Sequence, residues 1–434
     1  MSMTRSEWAT ERPGDAPEGR DDAGASRVAD VGDGVDADVV VISSSPLCLV
    51  EAVARARQGA RVIVLDARDR LGGAWDVTTL AGYEDVESCA HLLTSHPKCF
   101  DFLSREIGLD LAPLDPAPVS YSWGLPWKPR ASRYETFGWK IEETLSRLLV
   151  RGLPRSIGQW NRAMIRPLGR AVMIAVDHLR GRRPQHLYPK GGTAEMIRRL
   201  GALIGAEPRI EVRLETRADA CRVDEARGIV TVETDRGPIR ARHAVITNQT
   251  WLREIETPRE RLGPTGTREA CHQLLLHVED PTPIRCSYVE FNGHPLIRRF
   301  SDVTAFTRDH DPAVRTGKIL AVTTTRAIED EADDRVVLDE IIAMKLVDPG
   351  ARITHRRAFA HGMLAVDRGL VVALQRRYAG FFTQLWTADF AECVAAQADR
   401  WTAMLKAPAA LAGERPRLAV AGRIEPAVER RAAA

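Results

Sequence analysis

Two short apolar runs, at 38–42 and 61–66, constrain this chain more than any other feature. Asp38-Val-Val-Val-Ile42 is a continuous β-branched stretch, and Arg61-Val-Ile-Val-Leu-Asp66 follows it closely. Such runs suit strands covered on both faces, the environment of a parallel sheet. Between them Leu49, Val50, Val53 and Ala54 recur at helical spacing, and Gly59 stops the helix. The pattern predicts a strand–turn–helix–strand unit with a right-handed crossover.

A chain of 434 residues has room for two or three domains. Residues 1–36 are poor in large apolar side chains and rich in Asp, Glu, Gly and Arg, a composition that predicts a disordered tail. After residue 110 aromatics crowd a Pro- and Gly-punctuated stretch, followed by broken helices up to 185. A second α/β pattern opens at Leu187, with strands expected at 210–214, 218–223, 229–233 and 244–247. Further strands are expected at 274–278, 319–323 and 418–421, and helices at 335–346 and 390–405. The expected organisation is a discontinuous first domain (37–110, 186–250 and 411–434) and a second one (111–185 and 251–410).

The turn after the first strand is where a dinucleotide-binding unit uses three glycines. They make the tight turn, let the backbone approach a diphosphate, and let helix and strand pack closely. Here those places hold Ser43, Ser45 and Cys48. Asp66, at the end of the second strand, stands where an acid would take hydrogen bonds from a ribose. It reads equally as a polar strand end.

The longer run Asp38 to Gly73, DVVVISSSPLCLVEAVARARQGARVIVLDARDRLGG, resembles the FAD-binding segment shared by amine oxidases, protoporphyrinogen oxidases, phytoene desaturases and UDP-galactopyranose mutases. Pro46, Asp66, Arg68, Arg70, Leu71, Gly72 and Gly73 match that segment; Ala74 replaces its following Arg. The resemblance implies an α/β fold in which a Rossmann-type FAD/NAD(P)-binding domain is interleaved with a second α+β substrate-type domain. It implies that Asp66 faces the ribose and that Arg68, Gly72 and Gly73 lie near the diphosphate and flavin edge. Looser echoes place Ala218 against adenine, Glu87-Ser-Cys-Ala-His91 and Tyr188-Pro-Lys-Gly-Gly192-Thr at the flavin entry, and Gly422 in a terminal strand motif. After Arg423 the family's Gly-rich cap is replaced by Ile424-Glu-Pro-Ala-Val.

The departures bear on function. A non-glycine residue at positive φ costs on the order of 1 kcal/mol or more. A Cβ and hydroxyl at Ser45 also stand where backbone and diphosphate would touch. Two outcomes stay open: FAD held through serine hydroxyls and helix amides, or an inherited scaffold with a weakened or lost cofactor site. The first is a FAD-dependent oxidoreductase acting on a small biosynthetic intermediate. The second is a non-catalytic homologue serving as a partner or scaffold protein, and a sugar-nucleotide-mutase-like non-redox flavoenzyme is a third reading. No catalytic residue is assigned; His91 reads either as a flavin-site residue or as a core histidine.

Lys+Arg total 61 against 59 Asp+Glu, a balance that argues against a dedicated nucleic-acid binder. Seven scattered cysteines without a CxxC pair give no disulfide framework and no metal site, and suit a reducing cytoplasm. Between 140 and 183, however, Arg147, Arg151, Arg155, Arg162, Arg166, Arg170, Arg180, Arg182 and Arg183 face few acids. With apolar residues between them, this stretch is a candidate for peripheral membrane contact or for an anionic substrate, and otherwise a solvated helical face.

Overall fold

The computed structural model describes residues 34–75, 77–88, 91, 97–115, 118–122, 131–133, 141, 144–145, 165–180, 186–283, 285–309, 317–366, 368–385, 393–399 and 401. The segment at 1–33, the expected strand at 418–421, Gly422 and most of the arginine-rich stretch lie outside these.

The opening unit forms as its pattern predicts. β1 (Ala37–Ile42) leads through the serine turn into α1 (Pro46–Arg57), and β2 (Val62–Leu65) returns in parallel, with Val39 opposite Val62. Successive side chains on β1 point to opposite faces of the sheet. Val39 and Val41 join a core under α1, Pro97–Arg105 and Gly192–Ala206, while Val40 and Ile42 join a second core on the other side. Each core needs apolar residues from this strand, which is why the run has no polar alternation.

β1 and β2 are central in a nine-stranded sheet. On one side β2 pairs with Ile210–Arg213; on the other β1 pairs in parallel with Ile239–Thr247, which continues into an antiparallel meander through Ile229–Thr234 and Ala218–Asp224. The sheet also takes in Glu254–Glu256 and Phe382–Leu385. The sequence pattern puts 251–410 with the second region, but Phe382–Leu385 pairs in parallel with Ile239–Thr247, Ala244 opposite Phe382, and Leu370, Leu374 and Tyr378 fill the core beside it. Helical residues 393–399 and Trp401 then cover α1.

That cover carries buried charge. Arg55 Nε donates to Glu51 Oε1 at 2.8 Å, one helical turn away, and Gln397 Nε2 donates to Glu51 Oε2 at 2.9 Å. Arg55 Nη2 reaches Thr383 Oγ1 at 3.2 Å, which in turn meets His243 Nε2 at 2.8 Å. Burial, with the Arg55 charge adding to it, pushes the His243 imidazole down to about 4. One polar chain thus ties α1 to residues 382–385 and 393–399.

A seven-stranded sheet forms a second layer: Arg352–Val366, Gly266–Glu279, Lys318–Thr324, Ile297–Asp302, Tyr288–Asn292, Val119–Ser122 and Ala131–Arg133. Its two faces carry separate cores, one closed by helix Glu331–Ala343 through Val337, Leu338 and Ile341. That helix starts four residues earlier than its apolar spacing suggests, because Asp330 caps it by accepting from Asp333 N–H at 2.9 Å. Gly266–Glu279 runs well beyond its apolar centre at 274–278, held by the long antiparallel register against Arg352–Val366. A small sheet of Arg308–Asp309, Tyr83–Glu87 and Val77–Leu80 is the third piece the site requires.

Among the described residues no helix is long and apolar enough to cross a membrane, and no group of His, Cys, Asp or Glu is arranged to hold a metal ion.

Candidate functional site: a serine turn and a buried carboxyl

The turn between β1 and α1 keeps the backbone path that glycine normally supplies. Ser43 sits at φ +150°, a region costing a residue with a Cβ roughly 1–3 kcal/mol. Its Oγ accepts from Ser45 N–H at 3.1 Å. Ser44 donates twice to one carboxylate oxygen: N–H to Asp66 Oδ2 at 2.9 Å and Oγ–H to the same atom at 2.5 Å. Arg68 N–H takes Asp66 Oδ1 at 3.0 Å. Ser44 is fully buried and Asp66 nearly so.

The Gly72–Gly73 segment lies on this turn. Gly72 N–H points between the carbonyl and hydroxyl oxygens of Ser44, both at 3.0 Å. A Cβ on Gly73 would come within 3.0 Å of Ser45 N and 3.2 Å of Ser43 Oγ, while one on Gly72 would strike Ile197 Cδ1 at 2.7 Å. At Gly72 the φ of +118° is what calls for glycine, since the Ile197 tip can swing away, while at Gly73 a Cβ would press on the Ser45 backbone as well as meet a positive φ. Cys48 packs beneath as an apolar group. Burial pushes its thiol up to about 12, against the pull of the Ser45 and Ser43 hydroxyls.

Seven of the residues expected at a cofactor site thus meet: Ser43, Ser45, Cys48, Asp66, Arg68, Gly72 and Gly73. Ala218 is buried at the start of its strand, and the link before it is tied to the same place, with Glu215 N–H on Arg68 O and Thr216 N–H on Asp66 O, both at 2.8 Å. Gly422 lies outside the described residues. Ser44 was not legible as a site residue, since it falls between the fingerprint positions.

A second polar cluster joins the two segments that the resemblance places at the flavin entry, through contacts that the sequence does not show. Glu87 Oε2 accepts from Tyr188 Oη–H at 2.6 Å and its Oε1 from Thr193 N–H at 2.5 Å, at the start of helix Gly192–Ala206. Gly192 has no room for a side chain between Glu87 and Phe306. His91 N–H donates to Tyr188 Oη at 3.0 Å, and the His91 ring stacks on Trp75 at 4.2 Å and 12°. Burial raises the Glu87 carboxyl to about 7, opposed by the Tyr188 and Thr193 bonds and by the helix N-terminus.

The sign of its effect on stability follows from linkage. With a folded pKa near 7 and an ordinary value of 4.5, the unfolded chain releases this proton first. The Glu87 contribution is complete below about pH 4.5 and is lost as the pH rises toward 7, at up to about 1.4 kcal/mol per pH unit. Glu87→Gln should abolish that dependence. Denaturant midpoints at pH 5 and 7.5 check it: the wild type should lose more stability than the variant, and equal losses would show that Glu87 ionises freely.

No protein-family model matches the sequence, and no curated protein matches it. Solved structures do share the fold. Cyclohexylamine oxidase from Brevibacterium oxydans IH-35A aligns with a TM-score of 0.55 at 16% identity, over 85% of this chain and 98% of its own. Wild-type putrescine oxidase bound to putrescine gives 0.54 at 13%, over 85% and 99%. A protein from Exiguobacterium sp. 255-15, described as a protoporphyrinogen oxidase, gives 0.53 at 15%, over 85% and 99%. The chain shares the fold of these oxidases: a Rossmann-type α/β domain with a second α+β domain.

Proposed function

We propose that this chain is a FAD-dependent oxidoreductase-like protein whose cofactor site is weakened or lost, and whose role is carried by the scaffold as a partner or assembly protein. The observation that supports this most is the double donation of Ser44 to Asp66 Oδ2. A ribose reaching Oδ2 would have to displace the Ser44 hydroxyl from a charge-assisted hydrogen bond worth about 1.5–3 kcal/mol, and Oδ1 already accepts from Arg68 N–H. A diphosphate would meet the Cβ atoms of Ser43 and Ser45, and Ser45 N–H is already engaged by Ser43 Oγ. The residues present do not fit FAD in the manner of a glycine turn.

A competing reading, an active oxidase for a small biosynthetic intermediate, is favoured by two features: Ser43 keeps the glycine-type φ, and Gly72–Gly73 keeps its place beside the turn. The visible spectrum of protein purified from riboflavin-supplemented cells separates the two. A colourless preparation with no flavin released on denaturation is expected; a yellow protein with one flavin per chain would establish the oxidase instead.

A further inference from the structure

Exposed apolar side chains are unevenly spread over this molecule. Among the described residues, the large ones are Leu145, Ile165, Leu168, Val172, Leu179 and Val336, and all but the last fall between 145 and 179. Ile165 is 62% exposed, Val172 55% and Leu179 85%. Helix Arg166–Leu179 carries most of them, with Ile165 just before it. At 100° per residue, positions 165, 168, 172 and 179 fall within an arc of about 60°, forming a stripe about 21 Å long. Ala171 is fully buried on another side, anchoring the helix.

The charge of this stretch is the second observation. From 147 to 183 the sequence places nine arginines against one acid, Asp177. The helix itself holds Arg166 and Arg170, with exposed Arg180 directly after it. The rest of the chain is therefore net acidic, while this segment is strongly basic.

We propose that helix Arg166–Leu179 is an interfacial element that lies on an anionic bilayer, its stripe entering the headgroup–acyl boundary and the neighbouring arginines meeting lipid phosphates. By the same spacing Arg180 and Arg166 flank one side of the stripe and Arg170 lies on the far face, and an apolar stripe flanked by arginines suits a fluid anionic surface better than a groove in a folded partner. A second copy of the chain would set this arginine-rich stretch against itself, so self-association is disfavoured by like charge. The inference is independent of whether the serine turn holds FAD.

Co-sedimentation of the full chain with vesicles tests it. Binding to vesicles containing phosphatidylglycerol should exceed binding to pure phosphatidylcholine at least tenfold. Val172→Asp with Leu179→Asp should reduce it at least tenfold, and Arg166→Gln with Arg170→Gln and Arg180→Gln should reduce it comparably. Leu179→Asp alone, at the most exposed position, serves if the double variant does not fold. Four results would overturn the proposal: no sedimentation with anionic vesicles, undiminished binding by the Asp variants, a dimer in light scattering that those variants abolish, or retention by polyglutamate in place of vesicles.

Discussion

Glu51→Ala should lower the free energy of unfolding by about 3–5 kcal/mol, the cost of stranding a buried charge. Glu51 has no exposed side-chain surface and Arg55 only 10%. The pair gains Coulombic energy only while both members are present. Removing the carboxylate leaves the guanidinium with Thr383 Oγ1 as its remaining described partner and takes from Gln397 its 2.9 Å acceptor. Helical residues 393–399 would then keep only the longer Gln397 Nε2 bond to Leu47 O at 3.3 Å as their described polar attachment to α1, beside the apolar packing of Val394 and Ala398. Glu51→Leu with Arg55→Leu should recover most of the loss, since an apolar pair avoids the desolvation that the ion pair must overcome. Denaturant unfolding of the two variants checks this. A loss below about 1 kcal/mol for Glu51→Ala would show that water reaches Arg55.

Ser43→Gly, Ser44→Ala and Ser45→Gly together should raise FAD affinity about a hundredfold or more. Ser44→Ala contributes by freeing a lone pair on Asp66 Oδ2, worth about 1.5–3 kcal/mol as a charge-assisted acceptor. The two glycines remove the Cβ atoms facing the diphosphate path and free the Ser45 N–H from the Ser43 hydroxyl. At about 1.4 kcal/mol per tenfold, these effects combine to the stated gain. Adding Asp66→Asn to the triple variant should cancel most of it, because the amide offers one acceptor where the carboxylate offers two. A triple variant that binds no better than wild type would place the obstacle elsewhere in the chain.

Much of the fold was legible because β1 and β2 are buried on both faces, so burial writes itself into an unbroken run of Val and Ile. Phe382–Leu385 was not: Phe-Thr-Gln-Leu has two polar residues in four, and its place in the sheet comes from pairing with Ile239–Thr247, far away in sequence. The site divides the same way. The serines at 43 and 45 stood out because glycine was expected there, and their neighbourhood with Gly72–Gly73 follows from the resemblance. Ser44 acts through Asp66, and Glu87 through Tyr188, 101 residues distant. Hydrogen bonds between such separated positions leave no periodicity to read.

Titrating wild-type protein into FAD and following flavin fluorescence tests the central claim most directly. With Asp66 engaged by Ser44 and the Ser45 amide by Ser43, fluorescence should stay unquenched up to protein concentrations of about 1 mM, a binding free energy no stronger than about −4 kcal/mol. Saturable quenching at a one-to-one ratio in the micromolar range would contradict it, and would mean that the serines yield to the nucleotide.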